Sequence, residues 1–299
     1  LDGVLTKQSR PIGIAWIAGG GTILLAGVGV ALLNAVGNLL IVLAGVGVGY
    51  VGLRTVIRGR RHFVRVGLDS IAHDPRPPVL YLRPFFYDGV DFQVDPATIN
   101  RGVVERGFWR QMGVMVRLIR TNEQLFARAF RDIGPLVAIG DPREALPRLG
   151  AVRVYAREGS EWQEVVADLA ERARYVILEI GVSEGVLWEV DFITRTVRPD
   201  QLILSLPNDL AGATRWMRPG TRERRRQENY AAFRDAAADE FPVPLPDEIG
   251  RSKLMYFESD WTPRPALYHR EIIAPFGRRI RHPEDPKLEA LIWINSILF

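Results

Sequence analysis

Cysteine is absent from all 299 residues. That absence excludes a disulfide scaffold, a thiolate-ligated zinc or iron–sulfur centre, and a thiol nucleophile. Lysine is nearly absent too. Lys7, Lys253 and Lys287 leave 36 of the 39 basic residues as Arg, the bias expected of a GC-rich bacterial genome. The histidines (His62, His73, His269 and His282) are scattered, with no partner at metal-ligand spacing. There is no Gly-rich phosphate loop with a following Lys, and no Gly-x-Ser-x-Gly elbow. Kinase, protease, metalloenzyme and Rossmann dehydrogenase readings are set aside on these grounds. The first residue is Leu rather than Met, as expected of a fragment or a trimmed chain.

Charge is missing over one long stretch. Residues 11–53 contain no Asp, Glu, Lys, Arg or His. A single membrane-spanning helix needs about 20 apolar residues, so this run is long enough for two. The break falls at Asn34-Ala35-Val36-Gly37-Asn38, and helices are expected over residues 12–33 and 39–56. Buried helices of a soluble core rarely lack charge for so long, because one edge normally meets water. A signal peptide has an apolar region about half this length. The expectation is a transmembrane hairpin in the lipid bilayer.

Lys7 and Arg10 precede the hairpin, Arg54, Arg58, Arg60, Arg61 and Arg65 follow it, and the turn is uncharged. Positive flanks stay inside, so both ends are expected in the cytoplasm and the protein in the inner membrane, multi-pass. The Arg cluster suits anionic headgroups, and no nucleic acid is expected as a partner. Gly45 and Gly49 lie four apart on one helical face, a spacing that allows close helix approach. They serve either the hairpin's own packing or a homo-oligomer through the membrane helices.

What is there beyond residue 66 reads as soluble. Overall the chain is 47% hydrophobic and 25% charged, which excludes wholesale disorder. A Pro-rich extended linker is expected over residues 70–78. Strands are expected at 79–83, 135–140, 152–155, 174–180 and 201–206. Capping boxes at Thr121-Asn-Glu-Gln124 and Ser160-Glu-Trp-Gln163 open helices between them, and a further helix runs from Val186 to about Thr196. Strands alternating with helices predict an α/β fold with a doubly wound parallel sheet. A charged helix over 221–240, a strand at 253–257 and a C-terminal helix from Lys287 follow. The expected division is 1–65 hairpin, 66–207 α/β domain, and 208–299 an extension packed on it.

Open parallel sheets bind ligands at the carboxyl ends of their strands. Those ends are Arg83-Pro-Phe-Phe-Tyr-Asp88, Gly140-Asp141-Pro142 and Gly181-Val-Ser-Glu-Gly-Val-Leu-Trp-Glu189. Glu189 is expected in the first turn of its helix, where the positive N-terminus favours an ionised carboxylate. Such a group can accept bonds from ribose hydroxyls or attack an anomeric carbon. The plainer reading is that Glu is common in first turns whether or not anything binds.

Tyr81-Leu-Arg-Pro-Phe85 is similar to the opening motif of nucleoside 2-deoxyribosyltransferases, and Gly185-Val-Leu-Trp-Glu189 resembles the segment carrying their catalytic Glu. That superfamily resembles Toll/interleukin-1 receptor (TIR) domains, some of which cleave NAD, and Ser183, Trp188 and Glu189 match the residue types of their pattern. The resemblance spans residues 78–207. It implies a flavodoxin/TIR-like doubly wound sheet with Glu189 catalytic. Arg83, Phe85, Tyr87, Asp88, Asp141, Ser183, Gly185 and Trp188 would then line a pocket for a nucleotide-like small molecule. It implies no cofactor, with NAD as substrate. Arg83 and Val186 depart from the transferase pattern, and Phe192 stands where TIR enzymes have Glu. Two functions follow: an N-glycosidase acting on NAD or a related nucleoside or nucleotide, or a catalytically silent signalling or nucleotide-sensing module at the membrane.

Overall fold

The computed structural model describes residues 7–34, 37–72, 74–83, 121–140, 144–156, 161–206, 219–250 and 252–266, with Lys287, Ala290, Leu291 and Ile294. It forms two compact units, Leu1–Val66 with Pro142–Leu149, and Gly67–Asp141 with Gly150–Phe299.

In the first unit, α1 (Arg10–Leu33) and α2 (Leu39–Arg61) are each long and apolar enough to cross a membrane. Asn38 caps α2 by accepting the Leu40 N–H at 2.9 Å. The helix runs five residues past the predicted end and takes in Arg58, Arg60 and Arg61, cations that its carbonyl end favours. The buried positions are glycines: Gly13, Gly20 and Gly27 on α1, and Gly45, Gly49, Gly52 and Gly59 on α2. A Cβ at Gly27 would lie 2.3 Å from the Gly49 nitrogen, and one at Gly52 would lie 2.3 Å from the Leu24 nitrogen. The two backbones therefore touch. Leu25, Leu33, Leu39 and Leu40 point outward and are exposed. Small residues inside and large apolar residues outside invert the pattern of a water-soluble helix pair. Gly45 and Gly49 both belong to this internal face, so the hairpin itself uses their spacing.

In the second unit, β1 (Val79–Leu82), β2 (Leu136–Gly140), β3 (Val152–Tyr155), β4 (Tyr175–Glu179) and β5 (Leu202–Ser205) pair in parallel. β6 (Leu254–Phe257) and β7 (Pro263–Pro265) extend the sheet antiparallel. The strand order is β3-β2-β1-β4-β5-β6-β7. An α/β architecture is thus present, in a mixed, mostly parallel sheet. The described strands do not show the flavodoxin-like order 2-1-3-4-5; their parallel part runs 3-2-1-4-5, as in the first five strands of the Rossmann order. Strand–helix alternation dictates parallel pairing, but either order satisfies it. The start of the expected extended linker over 70–78 also differs, since Asp69–Ala72 makes one helical turn, α3.

Two apolar layers cover the sheet. On one face, Leu80, Leu82, Val176 and Leu178 pack with α5 (Glu161–Arg172), α6 (Glu184–Thr196) and α7 (Pro219–Ala236). On the other, Val79, Tyr81, Ala138 and Ile177 pack with Phe126 and Ala129 of α4 (Asn122–Ala129) and with Leu291 and Ile294. The charged helix α7 is not wholly a solvated face. Arg226 is buried and donates to the Ser252 and Gly250 carbonyls.

Candidate functional site

Strand order reverses between β1 and β4, which makes their carboxyl ends the switch point where open α/β sheets take ligands. Tyr81 and Arg83 arrive there from β1, and Glu179 from β4. The Tyr81 hydroxyl donates to Glu179 Oε2, and both residues are buried. Burial, and then the facing Glu179 carboxylate, hold the Tyr81 hydroxyl well above the usual phenol range. At neutral pH it is therefore a protonated donor. Tyr81→Phe leaves Glu179 one donor short and is expected to cost about 1–3 kcal/mol in urea unfolding.

Arg83, two residues on, shares the face of Tyr81 and approaches Glu123 Oε2 at 3.9 Å. Glu123 lies in the first turn of α4, behind a formed capping box: Gln124 N–H donates to Thr121 Oγ1, and Thr121 N–H to Gln124 Oε1, each at 3.2 Å. The same carboxylate takes Arg153 Nη2 at 2.6 Å and the Ala151 N–H at 2.8 Å. Arg153 is fully buried, so this pair compensates a charge that no water reaches. Gly150 lets the chain pass close by. Its φ is +134°, and a Cβ there would lie 2.9 Å from Glu123. Two guanidinium groups thus converge on one carboxylate beside the Tyr81–Glu179 pair.

Glu189 is placed otherwise than expected. Ser183 is the N-cap and α6 begins at Glu184, two residues before Val186, so Glu189 falls in the second turn. The helix dipole acts within the first turn, and here desolvation outweighs it. Glu189 is 4% exposed, its Oε2 has no hydrogen-bond partner, and burial pushes its carboxyl up to about 8. The expected ionised first-turn carboxylate is a neutral buried acid at pH 7.

The remaining candidates divide. Trp188 meets Trp162 edge-on at 4.9 Å and stacks on Phe192 at 5.3 Å, so its ring belongs to an aromatic cluster against the core. Ser183 is exposed and its side chain makes no cap bond. Around Gly185 a Cβ would meet nothing within 4 Å. Phe85, Tyr87, Asp88 and Asp141 lie outside the described residues. The structure therefore gathers Arg83 with Tyr81, Glu179, Glu123 and Arg153 beside one face, and sets Glu189 in the apolar layer of the other.

No family model, curated protein or solved structure matches this chain. The chemistry of the site is accordingly read from its own residues. Among the described residues no group of three His, Asp or Glu is placed to hold a metal ion. The arrangement at the switch point offers a guanidinium for an anionic group and a carboxylate for hydroxyls. Sequence reasoning missed Glu123, Arg153 and Glu179 as members of it. The available signal was a lone charge inside an apolar strand, as in Val152-Arg153-Val154 and Ile177-Leu178-Glu179-Ile180.

Proposed function

We propose that the chain is a membrane-anchored α/β module that binds a nucleotide-like small molecule at the carboxyl ends of β1 and β4. The observation that carries this reading is that the Tyr81–Glu179 pair and the Arg83–Glu123 pair lie side by side where the strand order reverses. Arg83 suits a phosphate, and the Glu179 carboxylate suits ribose hydroxyls. The inverted hairpin supports a bilayer as the environment of α1 and α2. Its Arg-rich flanks support cytoplasmic ends, so the ligand is drawn from the cytoplasm.

Titration of the full chain in detergent micelles with NAD, ADP-ribose and adenosine tests this by calorimetry. The phosphate-bearing ligands are expected to bind, and Arg83→Gln to weaken them at least tenfold. Absence of binding by all three, or indifference to Arg83→Gln, overturns the reading.

A second reading, N-glycoside hydrolysis, is favoured by Glu189. A carboxyl held neutral at pH 7 is a proton donor, not a nucleophile. Such a proton suits a nucleoside, whose base otherwise departs as an anion; nicotinamide leaves NAD uncharged and needs none. The similarity of Gly185-Val-Leu-Trp-Glu189 to the deoxyribosyltransferase segment supports the same substrate class. Release of free base from a nucleoside by the full chain is the result that favours this reading over a silent module.

A further inference from the structure

A cavity of about 270 Å³ opens at the opposite edge of the sheet, among the amino ends of β4 and β5. Arg172 ends α5, Arg174 and Tyr175 lead into β4, and Arg198, Asp200 and Gln201 lead into β5; all of them line it. The Gln201 amide donates to the Ala173 and Arg174 carbonyls, each at 3.3 Å, and so ties the two strand entrances into a fixed wall.

The charges here are unequally matched. Arg172 pairs with Asp168, and Arg198 with Asp200 at 3.2 Å. In both pairs the Arg side chain is largely exposed, 63% and 73%, so each pair is weak and readily exchanged for another anion. Arg174 forms no ion pair among the described residues and lies 5.9 Å over the Tyr175 ring. Lys287 approaches the same ring at 5.5 Å and donates to the Asp200 carbonyl. Three guanidinium groups therefore line a cavity to which Asp200 brings one carboxylate, and the Lys287 ammonium is held on the Asp200 carbonyl.

We infer that this cavity is a second, independent ligand site, for a phosphate group esterified to a small alcohol. Guanidinium forks match phosphate oxygens in pairs, and among the described residues no carboxylate competes for Arg174. The volume exceeds what a bare phosphate fills and leaves room for the esterified part. Such a group is carried either by a soluble phosphate ester or by a phospholipid headgroup. Asp200 is the residue that opposes an anion, so its charge tunes the affinity.

Calorimetry on the full chain in zwitterionic micelles, at fixed ionic strength, tests the site with two probes. One is glycerol 3-phosphate, and the other is short-chain phosphatidylglycerol set against short-chain phosphatidylcholine. Binding of glycerol 3-phosphate identifies a soluble ester as the source, and selective binding of phosphatidylglycerol identifies a headgroup. In either case Arg174→Gln is expected to weaken the probe at least tenfold, and Asp200→Asn to tighten it several-fold. Arg225→Gln removes one exposed charge from α7 and is expected to leave binding unchanged. Arg83→Gln lies at the other edge, so it separates this site from the nucleotide site: nucleotide binding falls while probe binding stays. Thermal melts of the exposed Arg174→Gln variant confirm that it is folded. Binding of neither probe, or equal loss in Arg174→Gln and Arg225→Gln, overturns the inference.

Discussion

The Gly27→Leu protein is expected to lose its packed hairpin, while Gly29→Leu is expected to keep it. A Cβ at position 27 would lie 2.3 Å from the Gly49 nitrogen and 2.6 Å from the Gly45 oxygen. Both are backbone atoms and cannot rotate aside, so the helices must separate. Separation also opens the contacts of Gly20 with Gly52 and of Gly13 with Gly59, which follow along the same seam. Overpacking of this kind costs about 1–3 kcal/mol or more. In lipid no hydrophobic drive exists to reclose the gap, because the tails are as apolar as the leucine. Gly29 has nothing within 4 Å of its added Cβ and faces outward, so the same side chain is harmless there. The chain contains no native Cys, so spin labels at Leu25→Cys and Val51→Cys, both exposed positions, report the interhelix distance. A broad distance distribution in Gly27→Leu, beside a narrow one in Gly29→Leu, is the expected result. Identical distributions would mean that the helices do not pack along these glycines.

The helix pair was legible because an uncharged run of that length has few alternatives, and Asn34 and Asn38 mark its break. Six strands were legible as short apolar runs between breakers, and the Thr121 capping box formed as its spacing predicts. Strand order was not legible. A hydrophobic pattern reports that both faces of a strand are covered, but not to which side of β1 the next crossover runs. β7 escaped notice because Pro263 and Pro265 each lack an N–H, a composition tolerated only at a sheet edge. The start of α6 was misread because Gly181 and Gly185 look like loop residues, which hid Ser183 as the N-cap. The site was half legible. Arg83 stands at a strand end in plain view. The burial of Glu123 and Glu179, by contrast, depends on partners 30 and 98 residues away, Arg153 and Tyr81. Pairings at that distance follow from topology, and local periodicity does not encode them.

Glu189→Gln is expected to make the protein increasingly more stable than wild type as pH rises. In the folded chain burial raises the Glu189 carboxyl from an ordinary 4.5 to about 8. The folded state therefore holds this proton more tightly than the unfolded state does. Below pH 4.5 both states are protonated and the group adds no pH dependence. Between pH 4.5 and 8 only the folded state carries the proton, so stability declines as pH rises, by up to about 1.4 kcal/mol per unit. Above 8 the folded chain must hold an ionised carboxylate whose Oε2 has no hydrogen-bond partner, and the penalty levels off at several kcal/mol. Gln keeps the shape and never ionises. The variant should thus match wild type near pH 4, show a flatter profile through the window, and be the more stable protein at pH 8.5. Urea unfolding across that range measures it, and parallel profiles would show that Glu189 is not held neutral by burial. The same variant serves the hydrolytic reading. Gln cannot deliver a proton, so any base release by wild type should fall by orders of magnitude although the fold has become more stable. Glu184→Gln, an exposed first-turn change on the same helix, should leave base release unchanged. Stability gained with activity lost marks Glu189 as a proton donor, whereas stability gained with ligand binding untouched and no base released by either protein leaves the silent binding module.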